Sequence, residues 1–119
     1  MPNTLFVTYT NDAYFSYVLN LYESCKMWGI YDKLLMFCMD DESYVKCERL
    51  GIRCFKYKVC DVDSSFITYG TTMFNRLCYV KFEILYHLMR LGFDVLYTDS
   101  DIVFLTDILK RMQTIIEAD

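Results

Sequence analysis

Two aspartates separated by one residue carry the clearest chemistry in the sequence. Asp99 and Asp101 lie within the stretch GFDVLYTDSDIVFL, from Gly92 to Leu105, which we interpret as an apolar strand. Residues i and i+2 of a strand share a face, so the two carboxylates are expected to project together. Neighbouring carboxylates repel each other unless a cation lies between them, and Mg²⁺ and Mn²⁺ prefer such oxygen ligands. The spacing predicts a divalent-cation site, with a solvated turn as the alternative.

The rest of the chain reads as strands alternating with helices, which must position these carboxylates. Such alternation predicts the α/β class, with a mostly parallel sheet and helices on both faces. Ligands of these sheets bind beyond the carboxyl ends of the strands. We therefore expect Thr8 to Asn11, Asp40 with Asp41, and the two aspartates to lie at one edge. The predicted strands are 4–10, 33–39, 52–59 and 92–105, and the predicted helices are 14–28, 42–50, 72–91 and one from Thr106 onward, with a connector at 61–69.

A lysine lies in the middle of the apolar stripe of the long predicted helix. The stripe contains Leu77, Ile84 and Leu88, and Lys81 falls between them. An ammonium on a face that packs on a sheet needs a partner, or it must reach water along its aliphatic stem. The partners we expect are the carboxylates, or ligand phosphates, at the edge of the sheet. The alternative is that Lys81 simply reaches the surface.

Composition and charge exclude several classes of function. With 119 residues, 55% of them hydrophobic, the chain is expected to form a single ordered domain, 1–119. A net charge of -4 without a basic stripe argues against nucleic-acid binding. No segment has the apolar length of a membrane span, and no secretory signal begins the chain. We therefore expect a cytoplasmic protein.

Six cysteines are present, and their spacing suggests no metal site. No Cys-x-x-Cys pair occurs, and the single histidine, His87, offers little to a zinc site. Without a secretory signal we expect buried, reduced thiols that act as small apolar side chains. The cysteines are residues 25, 38, 47, 54, 60 and 78.

The block from Lys81 to Phe104 resembles the signature of the nucleotide-diphospho-sugar transferase family. It reads KFEILYHLMRLGFDVLYTDSDIVF, with a lysine in a helix, Leu-Gly-Phe, an apolar strand, and Asp-x-Asp followed by apolar residues. These are GT-A-fold glycosyltransferases, a group that includes the rhamnogalacturonan xylosyltransferases. The order of elements matches over residues 4 to 109, and the residue-level match covers 74 to 109.

The resemblance implies a Rossmann-like domain that binds a nucleotide-diphospho-sugar, with a UDP-sugar as the first choice, through Mn²⁺ or Mg²⁺. Asp101 matches the principal metal ligand, and Asp99 matches the residue that contacts the ribose and helps to hold the ion. Lys81 matches the helix lysine of the family and is assigned to the donor pocket. The resemblance also assigns Thr8, Tyr9 and Thr10 to the nucleoside site, with Asp40 as a further candidate.

The resemblance also implies that much of the family's domain is missing after Asp101. We therefore expect a partial GT-A domain without an acceptor half, whose open sheet edge favours self-association or a partner chain. One alternative is a non-catalytic remnant or interaction domain. Another is a haloacid-dehalogenase-like phosphohydrolase, in which Asp99 would be the nucleophile and Asp101 the general acid/base. The sugar acceptor is not specified by the sequence.

Overall fold

The computed structural model describes residues 3–57 and 71–118. Four strands and four α-helices alternate along this part of the chain, and a short 3-10 helix, Asp12–Tyr14, precedes the first α-helix. The predicted connector at 61–69 lies outside the described residues. The elements are β1 (Thr4–Thr10), α1 (Phe15–Met27), β2 (Leu34–Cys38), α2 (Asp41–Leu50), β3 (Cys54–Lys56), α3 (Thr72–Arg90), β4 (Asp94–Tyr97) and α4 (Ile108–Ala118).

The four strands form one parallel sheet in the order β3-β2-β1-β4. β1 is central, with Thr10 level with Cys38 of β2 and Val7 level with Tyr97 of β4. Its sequence, TLFVTYT, consists of β-branched and aromatic residues with a single leucine, and all but Tyr9 are buried. This sheet confirms the predicted α/β, Rossmann-like class. Association at an open sheet edge stays a prediction.

Helices cover both faces of the sheet, as predicted, because successive strand residues point to opposite sides. On one face, Phe6 and Met36 pack with the apolar side of α1, and Cys47 of α2 joins the same cluster. On the other face, Val7 and Phe37 pack against α3. The α3 residues of this second core are Leu77, Val80, Ile84 and Leu88. The predicted stripe of the long helix is therefore its buried side.

Two predicted strands are too long. β4 ends at Tyr97, so the interpretation of 92–105 as a continuous strand is wrong, and Asp99 and Asp101 lie in the turn that follows. The third strand covers only Cys54–Lys56 of the predicted 52–59, of which Lys58 and Val59 lie outside the described residues. The predicted helices agree with the structure to within one or two residues at each described end.

The ends of α2 follow from two residue types. Asp40 is the N-cap, and its carboxylate accepts the Ser43 amide at 3.0 Å. Gly51 ends the helix with φ +75°, a left-handed conformation that glycine adopts without strain.

Among the described residues, no helix has the length and apolar character needed to cross a membrane.

Candidate functional site

A cavity of about 470 Å³ lies beyond the carboxyl ends of β1 and β4. The chain leaves β1 toward α1 on one face, whereas α3, which precedes β4, packs on the other face. The neighbouring ends of β1 and β4 therefore form the switch point of the sheet, where this architecture binds its ligands. The lining residues are Tyr9, Thr10, Asn11, Tyr14, Tyr17, Met39, Leu77, Cys78, Lys81, Tyr97, Asp99, Ser100 and Asp101.

The structure brings Asp99 and Asp101 together in this lining, although by a turn rather than by a strand. Both side chains are exposed, so their carboxylates face the cavity without being buried in protein. The start of the turn is fixed because the amide of Thr98 donates to the Val7 carbonyl of β1 at 2.9 Å. The two carboxylates are therefore presented at the cavity from a fixed point on the sheet.

The far side of the same turn is anchored at Phe104. Its amide donates to Ser24 Oγ at 3.1 Å, and its carbonyl accepts the Trp28 indole N–H at 2.9 Å. Its ring packs against Phe6, with ring centroids 5.6 Å apart. Because Ser24 and Trp28 lie on and just after α1, this helix holds the aspartate turn against the sheet. Nothing in the spacing of these residues indicated the contact.

Lys81 also lies in the cavity lining, half-buried, and its ammonium lies 5.0 Å from the centroid of the Tyr97 ring. A second ring, that of Phe82, lies 5.3 Å away. A cation over an aromatic face is attracted by the quadrupole of the ring, which holds the ammonium at the cavity. It is the single cationic side chain of the lining within the part of the chain that the structure describes.

Tyr9 and Tyr97 form a pair at the ends of neighbouring strands, with ring centroids 6.2 Å apart. Burial raises the pKa of Tyr97, and the nearby Tyr9 hydroxyl and Asp99 carboxylate raise it further. Burial also raises the pKa of Tyr9. Both hydroxyls therefore stay protonated at neutral pH, and the Tyr97 hydroxyl hydrogen-bonds with Tyr9 and Asp99 at the wall of the cavity.

Two of the predicted nucleotide-binding residues do not line the cavity. Thr8 is almost fully buried on the opposite face of β1, facing the α1 side, whereas Tyr9 and Thr10 do line it. The Asp40 carboxylate is also buried, and it accepts the amide of Asp12 at 2.8 Å in addition to the Ser43 amide. It also accepts the Ser43 hydroxyl. The surroundings of Asp40 indicate a structural role.

Three cysteines that the spacing did not connect converge on the face of the sheet opposite the cavity. The sulfurs of Cys38, Cys47 and Cys54 all lie within 4.8 Å of one another. The side-chain hydrogen bond between Cys38 and Cys47 lowers the pKa of Cys38 and raises the pKa of Cys47. Burial raises the pKa of Cys54 to about 11. Cys60 lies outside the described residues.

The residues at the cavity fit a divalent oxygen-preferring ion only together with a ligand. Asp99 and Asp101 offer carboxylate oxygens, but among the described residues they belong to no cluster of three such donors. Mg²⁺-like ions are commonly held by one or two carboxylates with substrate phosphates and water completing the shell. The donor set therefore fits an ion that arrives with a phosphate ligand.

Comparison with known proteins identifies the class to which this fold and cavity belong. The family model described as nucleotide-diphospho-sugar transferase matches residues 29–119, well over half of the chain. The chain belongs to this family. The match confirms the resemblance found in the sequence and supports a glycosyltransferase-type domain. Comparisons with curated proteins and with solved structures gave no match.

Proposed function

We propose that the chain binds a nucleotide-diphospho-sugar, with a UDP-sugar as the first choice, in the cavity at the switch point of the sheet. The sugar is then transferred to an acceptor whose identity stays open. Family membership supports a donor of this class. The observation that carries the proposal is the meeting of Asp99, Asp101 and Lys81 in one cavity, at the place where α/β sheets bind nucleotides.

The charges of the lining give a physical reason for metal dependence. Within the described residues, the lining holds two carboxylates and one ammonium, so it carries a net negative charge. A diphosphate approaching Asp99 and Asp101 alone would be repelled. A bound divalent ion would make the net charge of the lining positive, and the phosphates could then coordinate the ion. Ion and nucleotide should therefore bind cooperatively, each raising the affinity for the other by the same factor.

Each residue of the site has a separate task in this proposal. Asp101 and Asp99 hold Mn²⁺ or Mg²⁺. When bound, the ion would neutralise the negative charge that develops on the leaving nucleotide diphosphate. Lys81 places a second positive charge at the cavity. The protonated hydroxyl of Tyr9 offers a hydrogen-bond donor to the nucleotide, and Tyr97 orients Tyr9 and Asp99. No described residue is assigned as an acid, base or nucleophile.

Calorimetric titration with UDP, with and without Mn²⁺, tests the donor site. We expect Mn²⁺-dependent binding that falls about tenfold or more in Asp101→Asn, equivalent to about 1.4 kcal/mol or more. Asp32→Asn is the matched control, because Asp32 is an exposed aspartate that precedes β2, at the amino-terminal edge of the sheet. Binding that ignores Mn²⁺, or an equal loss in the control, would contradict the proposal.

The lysine is tested by a pair of variants. Lys81→Met keeps the apolar stem and removes the charge, so we expect weaker UDP binding and a smaller dependence on salt. Lys81→Arg keeps both the charge and the contact with the Tyr97 ring and should retain most of the affinity. Equal affinity of Lys81→Met and the native chain would remove Lys81 from the donor site.

The two alternatives from the sequence make different predictions. A non-catalytic remnant or interaction domain predicts a well-folded chain that binds neither UDP nor GDP with either ion. A haloacid-dehalogenase-like phosphohydrolase carries its nucleophile after the first strand, whereas Asp99 follows β4. Family membership favours the transferase class over that phosphohydrolase. Release of phosphate from a phosphate monoester, lost in Asp99→Asn, would reverse this preference.

A further inference from the structure

The three-cysteine cluster has the geometry of a metal site that is separate from the donor cavity, the cavity beyond β1 and β4 in which the nucleotide-diphospho-sugar is proposed to bind. Cys38 ends β2, Cys47 lies on α2, and Cys54 begins β3, so three different elements each contribute one sulfur. Cys38 belongs to the core on the α1 and α2 face, whereas the next residue, Met39, belongs to the opposite core and lines the cavity. The sheet therefore separates the two sites.

The distances between the sulfurs suit a single small ion. A metal–sulfur bond of about 2.3 Å places the sulfurs of a tetrahedral site about 3.8 Å apart and those of a trigonal site about 4.0 Å apart. The sulfurs of Cys38 and Cys47 are 3.8 Å apart, and all three lie within 4.8 Å. Ligation would therefore require only a small inward movement of Cys54, which begins a short strand at the edge of the described sheet.

We infer that Cys38, Cys47 and Cys54 form a binding site for a thiophilic d¹⁰ cation, Zn²⁺ or Cu⁺. The three ligand atoms that meet here are sulfurs, which select this class over Mg²⁺ or Mn²⁺. Three thiolates complete a trigonal site for Cu⁺, whereas Zn²⁺ takes a fourth ligand, such as water. Each thiol that ligates the ion releases its proton to the solvent, so no oxidant or reductant is required.

Burial around the cluster is consistent with a site that has one accessible side. Cys38 and Cys47 are fully buried, whereas Cys54 is half-buried and offers an entry path. Tyr44 packs against the same core, and the Lys56 ammonium lies 5.0 Å from the centroid of its ring. Bound metal would connect β2, α2 and β3, and it would stabilise the folded chain because the unfolded chain lacks the preformed site.

Competition titration of the reduced full chain with a chromophoric chelator tests this site, using Zn²⁺ and Cu⁺ in separate arms and Mg²⁺ as the negative arm. We expect one ion per chain, a higher melting temperature with the ion, and a loss of affinity of about tenfold or more in Cys54→Ser. Cys25→Ser is the matched control, because Cys25 is a buried thiol on α1 that belongs neither to the cluster nor to the cavity lining. It should bind the ion as the native chain does.

A second measurement keeps the test decisive if a variant of a buried cysteine fails to fold. X-ray absorption of the native chain loaded with one equivalent of metal should show three sulfur neighbours at about 2.3 Å. Fewer than three sulfurs in that shell would overturn the assignment, as would equal affinity in Cys54→Ser and Cys25→Ser. Isolation of the chain with a Cys38–Cys47 disulfide that excludes the ion would also overturn it.

Discussion

Replacing Asp40 separates a structural role from a role in nucleotide binding. Its carboxylate caps α2 through the Ser43 amide and joins the loop after β1 to α2 through the Asp12 amide. Loss of an N-cap costs about 1 kcal/mol, and a hydrogen bond to a charged group contributes about 1.5–3 kcal/mol. Because Asp12 is only half-buried, water recovers part of the second loss. We expect Asp40→Ala to lower the free energy of unfolding by about 3 kcal/mol.

Urea unfolding of the variant measures this loss, which is a large part of the stability of a typical domain. Asp40→Asn retains an acceptor oxygen and should lose about 1 kcal/mol. Asp41→Ala is the matched control, because this neighbour is exposed and its ion pair with Lys56, at 3.1 Å, lies at the surface. Under folding conditions, the affinity of Asp40→Ala for UDP should be close to that of the native chain. Native stability combined with lost UDP binding would refute this reasoning and return Asp40 to the nucleotide site.

Three further predictions address the scaffold. Trp28→Phe removes the hydrogen bond to the Phe104 carbonyl and should lower the free energy of unfolding, measured in urea, by about 1–2 kcal/mol. It should also weaken UDP binding. Unchanged stability would show that this contact is dispensable. Gly51→Ala places a side chain at φ +75° and should lower the free energy of unfolding by about 1 kcal/mol, whereas a gain in stability would contradict the left-handed end of α2. Burial raises the pKa of Cys25 from 9.0 to about 11, so the folded state holds this proton more tightly than the unfolded state does. The stability from this thiol is complete below pH 9.0 and falls as the pH rises toward about 11. The difference in melting temperature between the native chain and Cys25→Ala should change over this range, and a constant difference would exclude the effect.

Local patterns predicted the scaffold because its elements follow from local chemistry. The β-branched and aromatic residues of β1 and the apolar stripe of α3 can each be recognised within a single segment of sequence. The same stripe located Lys81, whose charge interrupts an apolar face. These patterns were sufficient to place the carboxylates and the lysine at one edge of the sheet.

The end of β4 could not be predicted in this way, because it depends on contacts between distant segments. Apolar residues on both sides of the aspartates resemble one strand, yet Ile102 is 36% exposed and Val103 49% exposed. The chain leaves the sheet because Phe104 packs against Phe6 and bonds to Ser24 and Trp28. The hydrophobic periodicity of a single segment does not show such a contact.

The cysteine cluster was missed for a related reason. Zinc sites are recognised by short spacings between ligands, whereas Cys38, Cys47 and Cys54 lie at the end of β2, within α2 and at the start of β3. Parallel pairing of β2 with β3 places Cys54 level with Met36. Met36 lies two residues before Cys38 on β2, so the two side chains share a face. The sheet register together with the packing of α2 on the sheet brings the three sulfurs together.

The anchoring of Phe104 also has a consequence for the order in which the molecule forms. The hydrogen bonds that join Phe104 with Trp28 and with Ser24 span 76 and 80 residues of sequence, and β4 pairs with β1 across a similar distance. Contacts of such long range form slowly, because the intervening chain must be ordered first. On the ribosome, β1, β2 and the helices between them emerge well before β4. We therefore expect the cavity beyond β1 and β4 to be completed late, so that the proposed nucleotide binding would begin only after much of the hydrophobic core has formed.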